Sequence, residues 1–521
     1  MTLCLLCGAI AVSAQPKFTY ADIASGKFAQ KSVAGLRSMA DGEHYTILDA
    51  KGIYRLSYLD RDKREVVFEG FEGKIADYTF SPDESKILLR ISSRPLYRRS
   101  HFSKYVVYDR ESGEMVDVDE SRDVRYAIFS PNGKKVAYVK DNNIFINDLE
   151  QKFTYQITED GSWNHIINGM PDWVYEEEWG IDHAFCWSPD GEKIAFLKSD
   201  ESEVEEFGFM KFLTETPYPE LFKYKYPKAG EKNSKVSLHI FDIREGVARK
   251  VNRKEGDLYI PFFSWTPDGR LYYYEINRLQ NHLDVILCEG DNQRVIYTES
   301  NDKYIDGISN GTITFLSDSE RFLVQSEREG YNHLYLSSLS KGELTPVTSG
   351  DWNVTEVVCA TDKKIWYLST EGSPLRRELY TINLNGKGKK RLSTTEGTYR
   401  IVPSEGCKYY ISYFSNASTP NTVTLHKGNG KLIDTLEANT ELKRYIAEIG
   451  LPQKEFFTFV TPRGDTLNAY IKKPADFDAT KKYPVLLTQY SGPASQDVRD
   501  RWTIDWEDAL VQHGYIVVDC D

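Results

Sequence analysis

Short apolar runs separated by turn residues fill most of the chain, and four of these turns repeat one phrase. Each copy has an aromatic residue, then Ser or Thr, Pro, and Asp or Asn, followed by an apolar run; the copies begin at Phe80, Phe129, Trp187 and Trp265. A Pro-Asp-Gly-type turn between two such runs predicts that one strand ends at the aromatic residue and that the next begins after the turn.

Four weaker copies of the phrase extend the series, beginning at Met39, Leu316, Ala360 and Val402. Successive copies start between 41 and 78 residues apart. A repeat of roughly 40 to 50 residues that is rich in short strands is typical of a β-propeller blade. We therefore predict an all-β fold, an eight-bladed β-propeller over residues 36–445. Two stacked β-sandwiches, the alternative fold, would not repeat one phrase at this period.

Two long insertions interrupt the repeat, where the distances between copies are largest. The first includes residues 163–178 and the second includes residues 201–234. Because the other repeats keep their length, we expect both insertions to line a functional face.

The pattern changes near residue 445. Residues 483–490 form an apolar run, residues 502–511 have apolar positions at helical spacing, and residues 515–519 form a second apolar run. A strand, a helix and a strand in this order, with apolar strands, predict a parallel α/β sheet. We expect residues 446–521 to be the beginning of such a domain.

The N-terminus predicts export. An apolar run from Leu3 to Val12 is followed by Ser13 and Ala14, which fits a signal peptide of residues 1–14 cleaved after Ala14. The run is too short for a membrane-spanning helix, and the alternative is a buried N-terminal strand. We therefore expect a periplasmic, cell-surface or secreted protein without a transmembrane segment.

Charge and cysteine content narrow the function. The net charge of −13 argues against nucleic-acid binding, which needs a basic surface. Two of the seven cysteines lie in the predicted signal peptide, and the other five have no C-x-x-C spacing. A zinc site and a dense disulfide framework are therefore not expected. Buried free thiols are the favoured interpretation, with one disulfide left open. No cofactor is expected.

Three consecutive carboxylates, Glu176, Glu177 and Glu178, end the first insertion after the apolar residues Trp173, Val174 and Tyr175. Neighbouring carboxylates repel one another when they are poorly solvated, and a cation between them relieves this repulsion. The cation would be a metal, an Arg or Lys side chain, or a substrate ammonium. A solvated acidic loop is the alternative.

One G-x-S-x-G string, residues 307–311, has the pattern of a nucleophile elbow with Ser309 as the nucleophile. An elbow needs a strand before it and a helix after it. Here Asn310-Gly311 is a turn signal, and residues 312–316 predict a strand. We therefore predict that Ser309 is not catalytic.

Several stretches of the chain resemble the dipeptidyl peptidase IV family of the prolyl oligopeptidase superfamily, in its bacterial form. The stretches are residues 172–178 (DWVYEEE), 226–230 (YPKAG), 329–333 (EGYNH) and 483–493 (YPVLLTQYSGP). The resemblance implies a serine exopeptidase that removes a dipeptide with Pro, or else Ala, as its second residue. It implies peptide substrates with a free N-terminus, a homodimer, and a propeller followed by an α/β-hydrolase domain, against which residues 15–35 pack.

The resemblance also assigns roles to residues. Glu177 and Glu178 would bind the substrate ammonium. Arg98, or its neighbour Arg99 if the register is shifted by one, would hold these two glutamates and the substrate carbonyl. Tyr490 would donate a hydrogen bond to the oxyanion, as a neutral phenol at the end of a strand can.

The family's Ser, Asp and His fall beyond residue 521, so we expect this sequence to lack the triad, to be C-terminally truncated and to be inactive on its own. Two alternative functions remain. One is a non-catalytic β-propeller that binds a partner. The other is a prolyl oligopeptidase-like endopeptidase, against which Glu177 and Glu178 argue because an endopeptidase has no substrate ammonium to bind there.

Overall fold

The computed structural model describes residues 18–60, 63–212, 215–253, 256–290, 292–490, 492 and 495–521. The predicted signal peptide lies outside these ranges. Strands outnumber helices by far among the described residues, as the sequence predicts. Their helices are α1 (Tyr20–Ala24), α2 (Trp173–Glu178), α3 (Thr440–Ile449) and α4 (Trp506–Gln512), with a short 3-10 turn at Glu405–Cys407.

Eight antiparallel sheets follow one another along the described chain, and each consists of strands that neighbour one another in sequence. Sheet 1 contains β1 (Arg37–Ser38), β2 (His44–Leu48), β3 (Gly52–Ser57) and β4 (Glu65–Glu69). Sheet 2 contains β5 (Ile75–Phe80), β6 (Lys86–Pro95), β7 (His101–Asp109) and β8 (Met115–Asp117). Sheet 3 contains β9 (Tyr126–Phe129), β10 (Lys135–Lys140), β11 (Asn143–Asp148) and β12 (Phe153–Gln156).

Sheets 4 and 5 each have a first strand in two pieces, and sheet 4 carries a separate hairpin, β16–β17. The strands are β13 (Ile166–Asn168), β14 (Phe185–Trp187), β15 (Lys193–Asp200), β16 (Glu206–Lys211), β17 (Glu220–Lys225), β18 (Lys235–Asp242) and β19 (Val247–Lys250), and then β20 (Leu258–Tyr259), β21 (Phe263–Trp265), β22 (Leu271–Asn277), β23 (His282–Glu289) and β24 (Asn292–Ser300).

Sheets 6 to 8 return to the simple four-stranded order. Sheet 6 contains β25 (Ile313–Phe315), β26 (Arg321–Ser326), β27 (His333–Ser338) and β28 (Thr345–Pro346). Sheet 7 contains β29 (Val354–Ala360), β30 (Lys364–Ser369), β31 (Glu378–Asn383) and β32 (Lys390–Arg391). Sheet 8 contains β33 (Thr398–Pro403), β34 (Tyr409–Asn416), β35 (Thr419–Lys427) and β36 (Leu432–Glu437).

The repeated phrase forms the turn between the first and second strands of a sheet. In the copy at Phe80, the Ser81 hydroxyl donates to Asp83 Oδ1 (2.6 Å) and accepts the Lys86 N–H (2.9 Å). The hydroxyls of Ser130, Ser188 and Thr266 make the same pair of contacts. These local bonds close the turn and start the next strand, which explains why the phrase is readable in the sequence.

Apolar clusters join each sheet to the next. One cluster contains Tyr45 and Tyr54 of sheet 1 together with Tyr409 and Ile411 of sheet 8. The first and last sheets therefore pack together just as consecutive sheets do.

A ninth sheet follows, with strand order β37-β38-β40-β39: β37 (Glu455–Val460), β38 (Thr466–Lys472), β39 (Val485–Thr488) and β40 (Ile516–Cys520). β39 and β40 pair in parallel, and α4 lies between them in sequence. Phe18 and Phe28, on either side of α1, pack against α3 and against Trp502 and Ala509.

The cysteines differ from the favoured expectation. Cys359 of β29 and Cys407 of the 3-10 turn form a disulfide, with their Cα atoms 6.4 Å apart. The expectation of free thiols was wrong for these two residues, because sheets 7 and 8 bring together positions separated by 48 residues in sequence. Cys186, Cys288 and Cys520 are free. Among the described residues, no helix is both long enough and apolar enough to cross a membrane.

Candidate functional site

The carboxylate run lies on α2, whose start is fixed by its N-cap. Asp172 is extended (φ −73°, ψ 179°), and its carboxylate accepts the Tyr175 N–H at 2.8 Å and the Ser234 hydroxyl. The Tyr175 hydroxyl in turn accepts the Ile260 N–H at 3.0 Å. The helix is therefore anchored both to the second insertion and to sheet 5. Burial raises the pKa of Asp172.

The three adjacent carboxylates point in different directions. Successive residues of a helix are about 100° apart around its axis, so neighbours in sequence do not share a face. Glu176 is 1% exposed, Glu177 is partly exposed and Glu178 is exposed. The run is therefore not one acidic cluster, and each residue has its own surroundings.

Glu176 is a structural anchor. Its Oε1 atom accepts the backbone N–H groups of Arg99 and Ser100, both at 2.7 Å. These two residues belong to the loop between β6 and β7, so Glu176 attaches that loop to α2. The sequence assigns Glu176 no role of its own, and its position as the first of three carboxylates is the only signal for it.

Arg98 and Glu177 form a two-pronged ion pair. Arg98 Nε is 2.8 Å from Glu177 Oε2, and Arg98 Nη2 is 2.8 Å from Glu177 Oε1. Hydrogen bonding to Glu177 raises the pKa of Arg98. Arg99, the neighbouring register, instead contacts Glu176 through its backbone and through Nε, which donates to the Glu176 carbonyl at 3.3 Å. The geometry thus distinguishes the two arginines.

Glu178 follows Glu177 in α2 and is hydrogen-bonded or ion-paired to none of the residues that the structure describes. Because Arg98 neutralises Glu177, the side chains of Arg98, Glu177 and Glu178 together carry one net negative charge. That charge belongs to an exposed carboxylate, which can accept hydrogen bonds from a cation such as an ammonium.

Tyr490 follows β39 and is 73% exposed. Its hydroxyl adds a smaller electrostatic contribution, after that of Glu177, to the raised pKa of Arg98, so the two side chains lie within electrostatic reach of each other. The structure therefore places near one another three predicted site residues from distant parts of the sequence: Arg98, Glu177 and Tyr490.

The second insertion packs against the first. The rings of Trp173 and Tyr226 lie 4.2 Å apart, and those of Tyr97 and Tyr224 lie 6.0 Å apart. Tyr224 belongs to β17, so the base of the hairpin β16–β17 contacts both α2 and the Arg98 loop. The two insertions are thus adjacent, although nothing in the sequence indicates that they contact each other.

Ser309 lies in a turn and not in an elbow. Its hydroxyl accepts the Gly311 N–H at 3.2 Å, and β25 follows at Ile313. No strand of the described chain ends directly before it, and no helix follows it. In the described ranges, no group of three or more His, Cys, Asp and Glu side chains is arranged to hold a metal ion.

Comparison with known proteins gives a consistent result. Residues 81–421 match the family described as the dipeptidyl peptidase IV (DPP IV) N-terminal region. The chain is 30% identical over 493 residues to a probable dipeptidyl peptidase 4 of Arthroderma benhamiae, covering 90% of this chain and 63% of that protein. It is 32% identical over 480 residues to a probable dipeptidyl-aminopeptidase B of Aspergillus niger, covering 85% of this chain and 53% of that protein.

Solved structures show the same similarity. The crystal structure of Porphyromonas gingivalis dipeptidyl peptidase 4 has a TM-score of 0.92 and 36% identity, over 98% of this chain and 74% of that one. A putative dipeptidyl aminopeptidase IV from Bacteroides ovatus, at 23% identity and a TM-score of 0.78, shares the fold. The chain spans little more than half the length of the curated relatives first matched, 52% in one case. From the match over residues 81–421, the chain belongs to the dipeptidyl peptidase IV family.

Proposed function

We propose that the whole protein is a dipeptidyl peptidase that removes an N-terminal dipeptide whose second residue is Pro or Ala. The names of the relatives support this class of activity. The observation that carries the proposal is the neutralised pair Arg98–Glu177, followed in α2 by the exposed carboxylate of Glu178, which has no ion-pair partner among the described residues. One net negative charge matches the single positive charge of a peptide N-terminus.

The proposed site selects for chain ends. An α-ammonium has three N–H donors, and Glu177 and Glu178 together offer enough acceptor oxygens to bind all of them. In a peptide cleaved after its second residue, the backbone offers a positive charge at this position only as the free N-terminus. A peptide that is extended or blocked at its amino end would therefore leave these carboxylates without that partner. Arg98 keeps further N–H donors for the substrate carbonyl. The reaction is therefore exopeptidic.

We propose a serine-type reaction in which Tyr490 donates its hydroxyl to the oxyanion. The exposed phenol, within electrostatic reach of Arg98, supports this role. In this proposal residues 1–521 contribute Tyr490 and the ammonium site, which consists of Arg98, Glu177 and Glu178. The Ser, Asp and His of the triad come from sequence beyond residue 521. Peptidase activity then needs both parts.

The proposed architecture is an eight-bladed β-propeller and the beginning of an α/β-hydrolase domain. The contact between sheets 1 and 8 supports a closed ring of eight blades. The parallel pair β39–β40, with α4 between the strands in sequence, supports the hydrolase assignment. The packing of Phe18 and Phe28 on α3 and Trp502 supports the assignment of the N-terminal segment to the hydrolase side.

Export to the periplasm, the cell surface or the medium is also part of the proposal. The apolar run of residues 3–12 supports it at the level of sequence. The disulfide Cys359–Cys407 supports it independently, because disulfides persist in oxidising compartments.

We further propose a homodimer that uses the hairpin β16–β17. The hairpin exposes apolar side chains well beyond what a solvated loop needs. The exposed side chains are those of Phe209, Met210, Phe212, Tyr218 and Leu221. Met210 and Leu221 are cross-strand partners, so changing Met210 to Glu and Leu221 to Lys places an opposite-charge pair across the hairpin and keeps its register. The double variant should be a monomer in sedimentation experiments.

The test of function uses the whole protein with three anilide reporters: Gly-Pro, Ala-Ala and N-acetyl-Gly-Pro. We expect cleavage of the first two, no cleavage of the blocked one, and inactivation by a serine-directed phosphonate or fluorophosphonate. Cleavage of the blocked reporter would indicate an endopeptidase instead. Binding of peptides without any cleavage, in a protein whose sequence contains an intact triad, would contradict the peptidase assignment.

A further inference from the structure

Behind the ammonium site lies a buried group of charged side chains that the proposed reaction does not use directly. Arg125, directly before β9, is 4% exposed, and Glu201, directly after β15, is 6% exposed. Glu176 of α2 is 1% exposed. Three elements that are distant in sequence thus bury one positive and two acidic side chains, and the charges of both glutamates act on Arg125.

The hydrogen bonding of Arg125 is incomplete among the described residues. Its Nη1 donates to Asn142 Oδ1 at 3.2 Å, whereas Nε and Nη2 donate to no described residue. Oε2 of Glu176 likewise accepts from none of them. Burial lowers the pKa of Arg125, and the charges of Tyr97, Glu176 and Glu201 act against that shift. Its electrostatic counterparts are therefore the groups around the base of α2.

Glu176 connects this buried charge to the ammonium site. Its Oε1 atom holds the N–H groups of Arg99 and Ser100, next in sequence to Arg98. Glu176 is itself next in sequence to Glu177. A displacement of Glu176 therefore moves both partners of the Arg98–Glu177 pair, and a buried carboxylate without a counter-charge is readily displaced toward water.

We propose that Arg125 is a positioning residue for substrate binding: it supplies the buried positive charge that keeps Glu176 in place under the Arg98–Glu177 pair, and Glu201 competes for that charge. The proposal rests on the proposed function, because it assigns the pair to the substrate ammonium. Arg125 does not touch substrate in this account. It acts through Glu176, and its loss changes binding more than the chemical step.

The competition depends on pH. Burial, followed by the charge of Asp172, raises the pKa of Glu201 to about 8. Below that pH Glu201 is neutral, and the positive charge of Arg125 stabilises the carboxylate of Glu176. Above it, the ionised Glu201 attracts Arg125, so the KM for substrate rises. The charged or titratable groups that act on this cluster are Tyr97, Arg125, Asp172, Glu176, Asp200 and Lys225.

The first experiment measures steady-state kinetics of the whole protein on Gly-Pro-anilide. We expect R125M to raise KM by about tenfold or more with kcat within about threefold, and R125K to restore most of the affinity. R122M is the matched control, since Arg122 is an exposed arginine in the same connection. Equal KM values in R125M and the control, or a loss confined to kcat, would overturn the proposal.

The second experiment replaces Glu201, the residue that competes with Glu176 for the charge of Arg125. The ratio of wild-type KM to E201Q KM is measured from pH 6.5 to pH 9.5, so that titration of the substrate amine cancels. We expect a flat ratio below pH 8 and a rise of several-fold above it. A ratio that stays flat or falls with pH would contradict the competition. Folding of R125M is monitored by thermal unfolding. If R125M does not fold, the comparison with E201Q still tests the proposal.

A third measurement does not depend on catalysis. Hydrogen exchange is followed in a peptide covering residues 96–101, whose Arg99 and Ser100 amides Glu176 protects. Exchange should be at least several-fold faster in R125M and unchanged in R122M. Faster exchange in R125M, together with no cleavage of any dipeptide reporter by the wild-type protein, would support the positioning role of Arg125 and refute only the proposed function. Unchanged exchange in R125M would refute the positioning role.

Discussion

Replacing Glu178 by Gln tests the ammonium site most directly, because this carboxylate has no ion-pair partner among the described residues. The substitution keeps the shape of the side chain and removes the one negative charge that Arg98 does not neutralise. A charge-assisted hydrogen bond contributes about 1.5–3 kcal/mol. At about 1.4 kcal/mol for each tenfold change, kcat/KM should fall by about tenfold to about 150-fold.

Glu177→Gln should be more damaging than Glu178→Gln. It removes one negative charge from the site in the same way, but it also leaves Arg98 without its partner, so an unpaired positive charge faces the substrate ammonium. Removing that charge as well, in Glu177→Gln/Arg98→Met, should recover part of the loss. The pair is largely solvent-exposed on its Arg98 side (68%), so these changes should alter thermal stability little.

The assay is kcat/KM on Gly-Pro-anilide by the whole protein, with melting temperatures measured in parallel. Glu111→Gln is the matched control, since Glu111 is an exposed glutamate just past the far end of β7, about 30 Å along the strand from the Arg98 loop. Wild-type activity in Glu178→Gln and Glu177→Gln would refute the ammonium site. A Glu111→Gln loss of similar size would show that the effect is general electrostatics.

Three further predictions concern other parts of the chain. Tyr490→Phe should lower kcat by about 10²-fold with KM nearly unchanged, and a change in KM alone would make Tyr490 a binding residue. Replacing both Cys359 and Cys407 by Ser should lower the free energy of unfolding by about 2–4 kcal/mol, read from denaturant unfolding, since the disulfide closes a long loop. Residues 15–521 expressed alone should give folded protein by circular dichroism but no turnover of Gly-Pro-anilide; turnover sensitive to a serine reagent would reopen Ser309 as a nucleophile.

The sequence predicted local features well. The aromatic residues Phe80, Phe129, Trp187 and Trp265 each end a strand, as expected. This was possible because the turn chemistry lies within a few residues, as the bonds from Ser81 to Asp83 and Lys86 show. The predicted strand–helix–strand order after residue 483 also corresponds to β39, α4 and β40, because the spacing of apolar residues within each segment indicates its type.

The site was only partly predictable. The resemblance singled out Arg98, Glu177, Glu178 and Tyr490, and the sequence left Arg98 and Arg99 undistinguished. It treated the carboxylates as a single cluster, whereas the helix turns Glu176 inward to bind the Arg98 loop. No sequence pattern indicates that inward direction, because it depends on which side of α2 faces the neighbouring sheets.

The sequence by itself determined the repeated turns, the strands that they connect and the change to an α/β pattern, since these depend on hydrogen bonds and side-chain periods within short segments. The tertiary structure decided the non-local pairings: Cys359 with Cys407, sheet 1 with sheet 8, and Arg98 with Glu177, for which the family resemblance had left Arg99 open. Each of these joins positions separated by 48 or more residues. Such contacts depend on how whole sheets pack, which no local pattern specifies.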